Sequence, residues 1–110
     1  MNLDAARRLA LELPEAVEAP HFNHASWRIG GKIFATAPPE ADALHAFVAD
    51  DERERALALQ PGCTDKLLWG GKVVGVRVML AKAPTAFVRE LLAQAWRRKA
   101  PKRLLKEAAQ

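Results

Sequence analysis

The side chains best suited to chemistry in this sequence are cations. Arg97, Arg98, Lys99, Lys102, Arg103 and Lys106 fall within eleven residues that begin at Trp96. Lysine and arginine bind phosphate oxygens through charge and hydrogen bonds, and the guanidinium fork can do so bidentately. Residues 82–110 hold eight Lys/Arg against two Asp/Glu, whereas residues 1–81 hold nine against eleven. The positive charge is thus gathered at the C-terminal end. Such asymmetry suits a polyanion, an acidic protein surface or an anionic membrane. The same cations at a helix C-terminus would also stabilise its dipole and keep the surface solvated. Trp96 stands beside them, and an aromatic among cations can stack on an exposed base. Its register with Phe87, Val88, Leu91 and Leu92 points it instead to a core.

Other candidates are weaker. His21 and His24 are three apart, which puts them on opposite faces of an extended chain unless a turn intervenes. No neighbouring Cys or carboxylate cluster completes a tetrahedral metal site. Cys63 follows Pro61-Gly62, and as the single cysteine it can form no internal disulfide. A nucleophilic cysteine needs a positioned base, for which His45 is the conceivable partner. No GxSxG, Walker loop, GxGxxG after a strand or HExxH occurs. We therefore expect a non-enzymatic chain with no metal and no cofactor.

The elements that must position these residues can be read locally. Leu3 to Leu13 has helical spacing of Ala5/Ala6, Leu9 and Leu13, with Asp4 at the positive end of the dipole and Pro14 as the stop. Residues 25–29 and 32–36 flank Gly30-Gly31, a pair able to take the positive φ angles of a tight hairpin turn. Two-residue closure pairs Ile29 with Lys32, Arg28 with Ile33 and Trp27 with Phe34. Leu44 to Val48 reads as a strand, and a helix follows with Asp51 as cap and Glu54 closing a capping box. Leu67 to Leu80 repeats the Gly-Gly-Lys turn at Gly70-Gly71-Lys72. Thr85 to Lys99 carries the apolar stripe of a long helix, and Pro101 suits the first position of a short last one.

This order predicts one α+β domain over residues 1–110, with an antiparallel sheet backed by helices in two layers. The sequence of elements is α-β-β-β-α-β-β-α with a short C-terminal helix. Neither Gly-Gly-Lys turn is a phosphate loop, because each lies between strands rather than before a helix. No stretch near 20 apolar residues and no basic start followed by an apolar run occurs. A cytoplasmic location without membrane attachment follows as an expectation.

Two stretches also carry a family likeness. Pro20-His21-Phe22 leading into Ser26-Trp27-Arg28-Ile29-Gly30-Gly31-Lys32-Ile33-Phe34-Ala35-Thr36 resembles the N-terminal signature of the MmcQ/YjbR-like family. Ala95 to Leu104 is similar to the ending of a subgroup of it, while the match around Trp69 is looser. The resemblance implies an α+β fold comparable with the frataxin (CyaY-like) and secretion-chaperone folds. It also implies DNA binding through a double-wing arrangement. In this chain the wings would be the two Gly-Gly hairpins, bearing Arg28, Lys32, Lys72 and Arg77. The expected interface therefore comprises these four residues with Arg97, Arg98, Lys99, Lys102, Arg103 and Lys106, in a monomer or weak dimer. The competing expectation is a protein-interaction or chaperone-like domain, which requires an exposed apolar patch instead of a basic one.

Overall fold

A computed structural model describes residues 1–108. Helix α1 spans Leu3–Glu12. Its first turn is capped by Asn2, whose side chain accepts from the Ala5 N–H at 2.9 Å. Four strands follow: β1 Val17–His21, β2 His24–Ile29, β3 Lys32–Ala37 and β4 Ala43–Ala46. After α2 (Asp50–Leu59) come β5 Thr64–Trp69 and β6 Lys72–Met79. One 3₁₀ turn, Leu80–Lys82, leads to α3 (Thr85–Lys99) and α4 (Lys102–Ala108). The expected α+β class and order of elements are observed, with the edge strand β1 as an addition.

All six strands pair antiparallel, in the order β1-β2-β3-β4-β6-β5. Local hairpins account for most of that order. Among the described residues the one long-range pairing is β4 with β6, where Leu44 meets Val78 and Ala46 meets Val76. Gly75 permits it, because a Cβ at that position would lie 2.1 Å from the Ala46 carbonyl oxygen. The helices cover one face. Trp27, Ile29, Phe34, Leu44, Val76 and Val78 from the sheet pack with Val88, Leu91, Leu92 and Trp96 of α3 and Ala6 and Ala10 of α1. The two buried indoles have their N–H groups satisfied. Trp27 donates to Glu18 Oε1 at 3.0 Å and Trp96 to the Pro14 carbonyl at 3.0 Å. Trp96 is therefore a core residue, as its helical register implied.

The two Gly-Gly hairpins share more than their turns. Gly30 and Gly31 have φ of 57° and 80°, and Gly70 and Gly71 have 57° and 82°. Each turn is followed by two regular pairs and then a β-bulge, between Trp27 and Arg28 in the first hairpin and between Leu67 and Leu68 in the second. The bulges correct one expected contact. Trp27 pairs with Ala35, and Phe34 is the extra residue on its strand. In a bulge both residues opposing one partner turn towards nearly the same face, so Phe34 and Ala35 are both fully buried against the helices. A second correction concerns α2. It begins one residue before Asp51, after Ala49, and Glu52 Oε1 accepts from the Ala49 N–H at 3.2 Å. Asp51 is exposed, and Glu54 binds Arg53 instead. Alanine supplies no capping oxygen, so the run Asp50-Asp51-Glu52 favours this N-terminus through the helix dipole.

Candidate nucleic-acid interface

The ten expected contact residues divide by strand periodicity and helix register. Lys32 and Lys72 each open the second arm of a Gly-Gly hairpin and are exposed at its tip. The first tip packs on the α3–α4 joint, since a Cβ on Gly30 would stand 3.6 Å from Pro101 Cδ. This contact brings Lys32 to the end of α3. Partial burial depresses the Lys99 ammonium below its ordinary pKa, and the charges of Arg98 and Lys32 add to the effect. Arg98 donates to the Val48 carbonyl at 2.9 Å, which fixes the guanidinium beside the end of β4. Lys32 thus stands on the hairpin that packs at the end of α3, where Arg98 and Lys99 line one groove.

The remaining C-terminal cations differ in their partners. Arg97 donates to Glu90 at 3.2 Å. Arg103 grips Glu15 bidentately at 2.8 and 2.7 Å, and this hydrogen bonding holds the Glu15 carboxyl below the usual range. Both guanidiniums are therefore partly neutralised, and Arg103 ties α4 to the loop after α1. Lys102 and Lys106, four residues apart on α4, are exposed.

Arg28 and Arg77 lie elsewhere, on the sheet face turned away from the helices. There Ala19, Ser26, Thr36, His45, Arg77 and Asp65 are successive cross-strand neighbours in one row. Arg28 donates from Nε to Ser26 Oγ and from Nη2 to the Pro20 carbonyl, both at 3.2 Å. Arg77 Nη1 lies 3.0 Å from His45 Nε2. A guanidinium only donates, so Nε2 must accept and the imidazole proton sits on Nδ1, 3.4 Å from Thr36 Oγ1. Burial, followed by the charges of Arg77 and His24, pushes the His45 pKa down from 6.5 to about 4. With both ring nitrogens occupied, His45 is not a base for Cys63. That thiol is buried and directed at the Gln60 carbonyl.

His21 and His24 become cross-strand partners through the two-residue turn Phe22-Asn23. No group of three or more His, Cys, Asp or Glu suited to a metal occurs among the described residues. The same turn reveals a feature that the sequence reading did not pick out. Phe22 is 92% exposed and has φ of 56°. A left-handed conformation is unfavourable for a residue with a Cβ by about 1–2 kcal/mol, and exposing a phenyl ring forfeits its burial as well. His21 to His24 and Leu68 to Gly70 line a cleft of about 550 Å³, although β1 and β5 are the opposite edges of the sheet. The sheet must therefore curl, as bulges and a glycine inside a strand allow. Leu68 and Trp69 are 58% and 42% exposed. Trp69 also meets Phe47 edge to face at 4.9 Å. The local signal for this cleft was a Phe-Asn pair between two histidines and a Trp directly before Gly70. Neither feature discloses that the two would meet.

These features define a two-layer α+β domain with a curled antiparallel sheet, one helix-covered face, and cations concentrated where a hairpin meets the last long helix. The chain belongs to the YjbR family, whose family model matches residues 11–98. That span includes the Pro20–Thr36 stretch on which the resemblance rested. The fold is similar to the crystal structure of the Deinococcus radiodurans protein DR2400, described as a DUF419 domain. The TM-score is 0.76, at 20% sequence identity, over 98% of this chain and 88% of that one. No curated protein matches the sequence. No helix among the described residues is long and apolar enough to cross a membrane.

Proposed function

We propose that this domain is a non-enzymatic DNA-binding protein that holds the phosphate backbone mainly by charge. The supporting observation is that the first hairpin tip, which bears Lys32, packs on Pro101 at the α3–α4 joint, next to the end of α3 where Arg98 and Lys99 line one groove. Like charges held together repel one another, and a phosphate placed among them relieves that repulsion and gains charge-assisted hydrogen bonds. Lys72, on the second hairpin tip, and Lys102 and Lys106, on α4, extend the positive surface. The two Gly-Gly hairpins would act as the paired wings that the family resemblance implies. Arg97 and Arg103 contribute less, because Glu90 and Glu15 already occupy them. Arg28 and Arg77 serve the sheet face and not the wing tips. The protein would act in the cytoplasm as a monomer or weak dimer, and frataxin-like architecture would supply the frame without metal chemistry.

Gel-shift titrations of a duplex across salt concentrations test this reading. If about three to five phosphates are neutralised, log K falls against log salt with a slope of about −3 to −5. Replacing Lys32, Arg98 and Lys99 with Gln reduces the magnitude of that slope by about 2–3. Replacing Arg97 and Arg103 changes it less, and circular dichroism confirms that each variant is folded. Absence of binding at low salt overturns the proposal. A slope unchanged by the triple substitution removes this cluster from the interface.

A further inference from the structure

We propose that the cleft between Phe22 and Trp69 receives an unpaired base of a single-stranded nucleic acid whose backbone passes Arg98 and Lys99. This inference rests on the nucleic-acid reading above and names the form of ligand that the domain prefers.

Three observations support it. The first is Phe22, a fully displayed aromatic held in a left-handed backbone conformation at the tip of the β1–β2 turn. An unfavourable backbone and an unburied ring in one residue point to a use outside the folding of the chain. The second is the composition of the cleft. Phe22, Leu68 and Trp69 supply apolar surface, and His21, His24 and Asn23 supply polar edges, of which His24 Nδ1 and Asn23 Oδ1 already pair with each other at 3.0 Å, with no carboxylate in the lining. Its volume lies within the range of about 300–1,000 Å³ that accommodates small ligands. Flat rings with polar edges, in a lining without a carboxylate, match a nucleobase.

The third observation is continuity with the cations. Trp69 also lines an adjoining groove of about 300 Å³ together with Phe47, Arg98 and Lys99. The indole therefore borders both the Phe22 cleft and the groove that holds Arg98 and Lys99. Asp50, the one acid in that groove, is bound to Arg53 at 2.8 Å. A strand lying here places phosphates at Arg98 and Lys99 and turns the next base past Trp69 towards Phe22. A paired base cannot enter, because its faces are stacked and its edges are engaged. Duplex DNA would touch the cations alone. Aromatic platforms beside basic grooves favour single strands for this reason.

Fluorescence anisotropy at low salt tests the assignment with a labelled oligothymidylate and a duplex of equal length. The variants are Phe22→Gly, Trp69→Ala and Lys32→Gln/Arg98→Gln/Lys99→Gln. Glycine relieves the backbone strain at position 22, so Phe22→Gly does not lower the melting temperature, and any loss of binding is separated from loss of fold. We expect the single strand to bind more tightly than the duplex. Phe22→Gly and Trp69→Ala should each weaken single-strand binding about fivefold or more, the scale of one stacked base, and leave duplex binding unchanged. The triple variant should weaken both. Trp27 and Trp96 are buried, so quenching of exposed tryptophan emission by the oligomer, abolished in Trp69→Ala, reports stacking directly. Duplex binding that depends on the cations, together with single-strand binding indifferent to both aromatic substitutions, overturns this inference and leaves the wider reading standing. Failure of both oligomers to bind overturns both. Self-association that Phe22→Gly abolishes, with no single-strand binding, assigns the cleft to a second copy of the chain and also overturns the inference.

Discussion

Replacing Gly75 with Ala adds a single methyl group and should damage the middle of the sheet. The new Cβ would sit 2.1 Å from the Ala46 oxygen, 3.0 Å from its carbon and 3.2 Å from Phe47 Cα. These neighbours are backbone and cannot rotate away. Relief requires β4 and β6 to separate by about an ångström, and they are the strands that join the two hairpin halves of the sheet. Overpacking of this kind costs about 1–3 kcal/mol. Each ladder hydrogen bond stretched beyond its range removes about 1 kcal/mol more. Against this, alanine restricts the unfolded chain and returns about 0.4–1 kcal/mol. The net expectation is a loss of about 2–4 kcal/mol, read as a lower urea midpoint at unchanged m-value. At about 4–8 °C per kcal/mol the melting temperature should fall by about 10–25 °C. Gly62 is the control, since nothing lies within 4 Å of a Cβ placed there and its φ is not in the left-handed region. Gly62→Ala should be neutral or stabilising. A Gly75→Ala protein that melts within about 2 °C of the wild type would refute the close approach of β4 and β6.

Two further outcomes follow from the core and from the buried histidine. Trp27→Ala should destabilise the fold by about 3–5 kcal/mol, because it empties a fully enclosed site at the first bulge. Trp27→Phe should cost much less, since Glu18 keeps Arg7 as a partner at 2.9 Å, and equal melting curves for Trp27→Ala and the wild type would reject the packing. For His45, the unfolded ring titrates near 6.5 and the folded one near 4. As pH falls through that window the unfolded chain takes up a proton that the folded chain refuses, so stability decreases, by about 3 kcal/mol at most. Denaturation at pH 7, 5.5 and 4.5 should show this decline, and His45→Gln should flatten it. A decline of the same size in His45→Gln would place its origin in other groups.

What the sequence determined by itself is local. Gly30-Gly31 and Gly70-Gly71 announce tight turns because few other residue pairs accept two consecutive positive φ angles. The stripe from Phe87 to Trp96 identifies α3 and its buried face through side chains that lie one helical turn apart. Pro14 and Pro101 mark boundaries through the covalent geometry of their own rings. The charge asymmetry and the family likeness are likewise legible from residue order alone.

Tertiary structure decided what depends on distant parts of the chain. The Trp27–Phe34 pairing failed because a bulge shifts the register by one residue, and alternation of residue types cannot signal such a shift when Phe34 and Ala35 are both apolar. Asp51 lost the cap position to a helix start set by Ala49 and Glu52. Which cations remain free was decided by residues far away in sequence, since Glu15 claims Arg103 across 88 positions and Pro101 draws Gly30 to the end of α3. The cleft joins the turn between β1 and β2 to the hairpin of β5 and β6. Only the curl of the finished sheet brings its two edges together, so the spacing of Phe22 and Trp69 along the chain carries no trace of it.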